Sequence, residues 1–236
     1  MKIPLKSAAE LESMRTSCRM AAEVRDRVGE AVQAGVTTGE LDALARRLIE
    51  GMKAKPSFLG YRGYPAAICI SVNDEVIHGI PGRRVVLPGD VVSLDVGVYY
   101  KGFHGDTATT VMVGVTDPDV IRLVETTRRA LDAAIAAAKP GGSLSDVSHA
   151  VESVVKASGC SVVREFVGHG VGRHLHEDPQ VPNYGVPGRG PVLKPGMTLA
   201  IEPMVNLGRA EVSVLDDKWT VVTRDGRPSA HFGHTG

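Results

Sequence analysis

What most limits the fold of this chain is the order in which two sequence textures follow one another. Two adjacent helical blocks come first, then β-branched runs, then two more helical blocks, then strands and loops again. From residue 8 to about residue 33, Leu11, Met14, Cys18 and Ala21/Ala22 share one helical stripe. A second block, capped by Thr37 or Thr38, repeats Leu41, Leu44/Ala45, Leu48/Ile49 and Met52 at helical spacing. Residues 67–72, 76–80, 91–100 and 107–113 read as strands. Asp117-Pro118 opens a third helix that runs to about residue 139, where Pro140-Gly141-Gly142 ends it. Ser143 or Ser145 opens a fourth, with Leu144, Val147, Val151 and Val154/Val155 inward and Gly159 as its stop. Helices and strands that come in separate runs, rather than alternating singly, predict an α+β fold. The expected form is a mainly antiparallel sheet with helices on one face. No linker or low-complexity tract divides residues 1–236, so one domain is expected, long enough to bury a sizeable core.

Acidic side chains inside strand sequence need a reason. Asp95 sits in Ser93-Leu94-Asp95-Val96-Gly97, and Asp106 follows in Gly105-Asp106-Thr107. A hairpin centred between Tyr100 and Lys101 would set Asp95 opposite Asp106. Like charges facing each other across a sheet are destabilising alone, and a shared cation reverses that sign. Downstream, Gly168-His169-Gly170-Val171-Gly172 and His176-Glu177-Asp178-Pro179 place imidazoles among glycines, where backbone can pass close to a ligand. Glu202, in Ile201-Glu202-Pro203, adds a third carboxylate. Three carboxylates and a histidine suit Mn²⁺, Fe²⁺ or Co²⁺ better than a structural zinc, and point to a metal-dependent hydrolase. His78, before a Gly-Ile-Pro turn, is a candidate substrate contact. His104, His149 and His174 have the sequence context of ordinary surface or packing side chains, and Cys69 lies in an apolar run that reads as core.

Other chemistries are disfavoured. The formal net charge is zero, so no electrostatic footprint for nucleic acid or an anionic membrane is present. Three cysteines without a CxxC pair argue for a reducing cytoplasm and against a disulfide framework. The first residues contain no apolar signal region, and no membrane span is expected. His176-Glu177 does not continue to HExxH, the glycines around His169 do not form GxGxxG, and there is no Walker loop.

With these motifs assembled, the chain resembles the type I methionine aminopeptidases of bacterial kind, over nearly its whole length. The segments that carry the resemblance are Asn73 with His78-Gly79-Ile80-Pro81, Ser93 to Gly97, Gly105 to Ala108, Gly168 to Gly172 with His176 to Pro179, and Ile201 to Pro203. The resemblance implies a pita-bread fold, an antiparallel sheet backed by two pairs of helices with approximate two-fold symmetry. It implies removal of the initiator methionine from chains with a small second residue, by means of two divalent ions (Co, Mn, Fe, Zn or Ni). Asp95 would hold one ion, Asp106 would bridge both, and His169 and Glu202 would hold the other. His78 and His176 would contact the substrate, Glu202 would shuttle the proton, and Phe58, Tyr61, Tyr64, Cys69, Leu175 and Trp219 would line the methionine slot. The expected partners are peptide N-termini of nascent proteins and the expected state is a monomer in the cytoplasm, with ribosome contact left open.

One departure stands out. The family closes with a strand reading approximately Ala-x-Tyr/Phe-Glu-His-Thr, whose Glu is the fifth ligand. Here the stretch is Ala230-His231-Phe232-Gly233-His234-Thr235-Gly236, so Gly233 occupies the ligand position and the closing strand does not follow. The expectation is a weakened, one-ion centre and an unpaired sheet edge near the chain's end. His231 or His234 is a weak substitute ligand, since His234 should face away from position 233. The related Xaa-Pro peptidases carry a separate N-terminal domain, for which the start at Asn73 leaves little room. The type II enzymes carry an insertion that the interval from His176 to Glu202 lacks. A non-catalytic protein of the same fold, binding a partner or nascent chain, is the competing reading.

Overall fold

The computed structural model describes residues 3–236. In chain order its elements are α1 (Ala8–Ala31), α2 (Thr38–Gly51), β1 (Lys55–Pro56), β2 (Cys69–Val72), β3 (Glu75–Ile77), β4 (Val91–Tyr100) and β5 (Phe103–Met112). There follow α3 (Pro118–Ala137), α4 (Leu144–Ala157), β6 (Ser161–Val162), β7 (Gly168–Gly170), β8 (Glu177–Val181) and β9 (Leu199–Ile201). The chain closes with β10 (Met204–Asn206), β11 (Val212–Val214), β12 (Val221–Thr223), β13 (Ser229–His231) and β14 (Gly233–Thr235). Each helix begins where a side chain can satisfy its unpaired amides. Ser7 with Glu10, Thr37 with Glu40 and Ser143 with Asp146 form capping boxes, and Asp117 caps α3 ahead of Pro118.

An eight-stranded sheet runs β1-β4-β5-β14-β9-β7-β8 with β2 also paired to β4, and two three-stranded sheets, β13-β10-β6 and β11-β12-β3, complete the strands. Every named pairing is antiparallel. The two helix pairs cover separate cores. Ala21, Val24 and Val28 of α1 and Leu41, Ala45 and Ile49 of α2 pack on Ile70, Val72 and the even positions Val92, Leu94, Val96 and Val98 of β4. The second core joins Leu123 and Val124 of α3 and Val147, Val151 and Val155 of α4 to Leu199, Ile201, Ala230 and Phe232. Because successive side chains of a strand point to opposite faces, committing the even residues of β4 to the helices turns Ser93 and Asp95 the other way. That alternation is what delivers Asp95 to the opposite face of the sheet.

Three details depart from the sequence reading. The buried stripe of α1 is Met14, Ser17, Ala21, Val24 and Val28, with Leu11 and Cys18 only partly covered. Ser17 faces inward because its hydroxyl donates to the carbonyls of Phe103 (3.1 Å) and Tyr100 (3.2 Å), and the helix backbone lies so close to β5 that a Cβ on Gly105 would sit 2.6 Å from Cys18 N. The β4–β5 hairpin turns at Lys101-Gly102, both at positive φ as a two-residue primed turn requires, so Asp95 faces Ala108 and Asp106 faces Gly97. Asp95 and Asp106 are therefore diagonal neighbours rather than opposite partners. A two-residue shift keeps both on one face, so the pairing was misplaced but the face was not. Finally, β14 is interior to the sheet, bonded to β5 on one side and β9 on the other, so it is not the unpaired edge expected there.

Candidate metal centre

The floor of a cleft of about 180 Å³ is lined by Asp95, Asp106, His169 and Glu202. They arrive from β4, β5, β7 and the residue after β9, strands the register brings side by side. Asp106, His169 and Glu202 are buried, and each offers a ligand atom within 4.8 Å of the others. His169 Nε2 lies 3.7 Å from Asp106 Oδ2 and 3.6 Å from Glu202 Oε2. Its Nδ1 lies 2.8 Å from the carbonyl of Gly170, which can only accept. In the neutral ring the proton therefore sits on Nδ1, and Nε2 presents a lone pair to the carboxylates.

Electrostatically the cluster is unsatisfied by protein alone. Burial and the charge of Asp106 push Glu202 up to about 7. Burial, Asp106 and Glu202 push Asp95 well above the usual carboxylate range, and burial raises Asp106. Burial acts to lower His169, but the charges of Glu202 and Asp106 outweigh it and the net shift is upward. Asp95 Oδ1 and Asp106 Oδ1 are buried without a hydrogen-bond partner. Orphaned carboxylate oxygens beside a directed imidazole lone pair fit a divalent cation.

Gly233 pairs with Ala108 on β5, and a Cβ there would lie 3.5 Å from Glu202 Cγ. Position 233 thus borders the centre and contributes no ligand atom. His234 is exposed and lines a different cleft, with Ile135, Leu193 and Met197. His231 is buried, lines the main cleft, and keeps Nε2 without a partner, yet it is not among the three residues whose ligand atoms converge.

The wall is apolar. Phe58, Tyr64, Cys69 and Leu175, with Tyr61 and Trp219 against them, form a hydrophobic cluster of their own beside the centre. Cys69 is buried, as its apolar run suggested, but it also lines the cleft. His78 is held at φ +59 and sits edge-on to Phe166 (5.8 Å) and Trp219 (6.2 Å), with burial drawing its pKa to about 4. His176 packs at 4.2 Å from the His169 ring. Lost hydration and the neighbouring His169 bring its pKa to about 3.

Sequence reasoning overlooked Ile77, Phe166 and Met204 on the lining and considered His231 only as a weak substitute ligand. It also gave no role to Glu177, which accepts from Lys6 Nζ (2.5 Å) and from the His174 amide (3.1 Å) and so braces the loop that carries Leu175 and His176. The alternation of residues 231 and 233 on one strand face was the available signal for His231. His104, left without a partner, bonds Ser57 Oγ at 2.8 Å.

Comparison with known proteins agrees with this geometry. Metallopeptidase family M24 matches residues 12–235. Methionine aminopeptidase 1 of Bacillus subtilis is 50% identical over 230 residues, covering 98% of this chain and 93% of the relative. A methionine aminopeptidase of Clostridium perfringens is 48% identical over 99% of this chain and 94% of its own length. The crystal structure of methionine aminopeptidase from Thermotoga maritima superposes with a TM-score of 0.98 at 47% identity, over 99% of this chain and 94% of that one.

Proposed function

The chain belongs to metallopeptidase family M24, with its pita-bread fold, and we propose that it is a type I methionyl aminopeptidase acting as one catalytic domain. It removes the N-terminal methionine from polypeptides whose second residue is small. The observation that carries this reading is the convergence of Asp106, His169 and Glu202 beside an isolated apolar slot.

A divalent ion held by Asp106, His169 and Glu202 would supply the positive charge that activates water and polarises a scissile carbonyl. The chain's own groups do the rest. The slot of Phe58, Tyr61, Tyr64, Cys69, Leu175 and Trp219 takes an unbranched thioether through apolar and sulfur–aromatic contact. His78 and His176 are neutral near pH 7 and so each has one N–H to donate, His78 to the substrate amide region and His176 to the carbonyl oxygen as it gains charge. Glu202, buried at the floor of the cleft, is placed to accept a proton from water and return it to the leaving amine.

Gly233 bears on the second ion. Among the described residues of the cluster, Asp95 and Asp106 are the carboxylates that would remain for it, so the centre would hold one ion at low metal. Carboxylates with one imidazole favour Mn²⁺, Fe²⁺ or Co²⁺. Gly233 is also the one observation that favours the competing reading, a non-catalytic protein of the same fold that binds a partner or nascent chain. Retention of Asp95, Asp106, His169 and Glu202 outweighs it. Three free thiols fit a reducing cytoplasm, and no helix among the described residues is long and apolar enough to cross a membrane.

The test is selectivity. Purified protein with Mn²⁺ should release the first residue of Met-Ala-Ser and leave Met-Leu-Ser and Ala-Ala-Ser intact. Equal release from all three would remove the methionine-slot assignment.

A further inference from the structure

Two neighbouring imidazoles, His169 and His176, have their rings 4.2 Å apart but different partners at Nδ1. The partner of His169 is a carbonyl, which fixes the proton on Nδ1. The partner of His176 is the phenol of Tyr61, at 2.8 Å. A phenol has one hydrogen to give, and an imidazole nitrogen is a stronger base than a phenol oxygen, so the O–H donates to Nδ1. With Nδ1 accepting, the neutral ring must carry its proton on Nε2. The two histidines are thereby set as opposite tautomers, one presenting a lone pair at Nε2 and the other an N–H.

Tyr61 is held for this purpose by a turn that only an unusual backbone allows. Gly60, Arg62 and Gly63 all have positive φ, Gly60 N donates to the Tyr64 carbonyl (2.8 Å), and Gly63 N donates to the Gly60 carbonyl (3.1 Å). The Tyr61 ring stacks on His176 with an interplanar angle of 29°, and the Arg62 guanidinium lies 5.4 Å from its centroid. A residue needed only as apolar wall would serve as well without the hydroxyl.

We infer that Tyr61 is a positioning residue: its hydroxyl holds His176 as an Nε2–H donor toward the substrate's carbonyl oxygen, besides lining the slot. The inference rests on the aminopeptidase reading for its catalytic consequence, and on the hydrogen bond alone for the tautomer. Tyr61→Phe keeps the ring and deletes the donor. In ¹⁵N-labelled, metal-free protein, His176 of the unmodified chain should show a protonated Nε2 and an unprotonated, hydrogen-bonded Nδ1. The variant should lose the Nδ1 hydrogen-bond signature and show a mixture of tautomers. On Met-Ala-Ser with Mn²⁺, kcat should fall about tenfold, the order of one weakened transition-state donor, with KM changed less than about twofold. A rise in KM with kcat intact, or a His176 spectrum unmoved by the substitution, would overturn the inference and leave Tyr61 as wall. If the unmodified chain releases no methionine, the aminopeptidase reading fails, and the spectrum still decides the tautomer.

Discussion

Position 233 is where a single side chain can test the buried charged site. A Cβ there would lie 3.0 Å from Ala108 N and 3.5 Å from Glu202 Cγ, so a longer acidic side chain fits only if β5 yields by a few tenths of an ångström. Gly233→Glu should therefore raise the metal stoichiometry measured by calorimetric titration from about one ion toward two, with a modest loss of stability from crowding, about 1 kcal/mol. An unchanged stoichiometry would mean that Asp95 and Asp106 already hold the second ion or that neither variant can. At Gly97 a Cβ would sit 2.6 Å from Phe58 Cε1 and 2.7 Å from Ser57 Cβ. Gly97→Ala should displace the slot wall, raising KM for Met-Ala-Ser severalfold and lowering stability by about 1–3 kcal/mol in urea melts. Asp95 stood out as a candidate ligand because an Asp inside a run such as Leu94-Asp95-Val96 contradicts strand chemistry unless a cation is shared. Phe166 and Met204 were not legible, because an apolar residue carries no mark of whether it will face a core or a cleft.

At the scale of elements, starts and stops were better readable than pairings. Caps are local, and Thr37, Asp117 and Ser143 open their helices as the sequence suggested. Ser7→Ala should cost about 1 kcal/mol, since it removes one capping bond from an exposed helix end. Gly105→Ala should cost more, about 3 kcal/mol, because its Cβ meets the α1 backbone at Ser17 and Cys18, which cannot rotate aside as a side chain would. Comparable melts of the two variants would show that α1 can lift off β5. Register, by contrast, depended on one dipeptide. Lys101-Gly102 accepts positive φ at both positions, and that preference moves the β4–β5 pairing away from the centre that would set Asp95 opposite Asp106. The short strands β7, β9, β13 and β14 carry too few residues for a period to show, and they are the ones that bring His169, Glu202, His231 and Gly233 together.

For the molecule as a whole, folding gathers Asp95, Asp106 and Glu202 into one buried volume, and the metal-free protein bears that repulsion. The folded pKa values of these groups lie above their unfolded ones, so their contribution is fully present below the unfolded carboxylate pKa and is lost as pH rises through the folded values, about 7 for Glu202. Metal-free Glu202→Gln should therefore gain stability over the unmodified chain as pH rises from 5.5 to 8, a comparison in which the opposite pH dependence of the buried His78, His176 and His231 cancels. Mn²⁺ at a hundredfold excess over its dissociation constant should restore about 2.7 kcal/mol to the unmodified chain at the higher pH, and chelation should reverse the gain in a thermal melt. A melting temperature indifferent to Mn²⁺ would contradict a cation site in this cluster. The most direct measurement of the whole account is methionine release from Met-Ala-Ser during titration with Mn²⁺, run on the unmodified chain beside Gly233→Glu. The account predicts turnover by the unmodified chain that saturates near one equivalent of metal, and an increase in the variant. Folded protein that is silent in both forms would contradict it and leave a binding protein in the enzyme's fold.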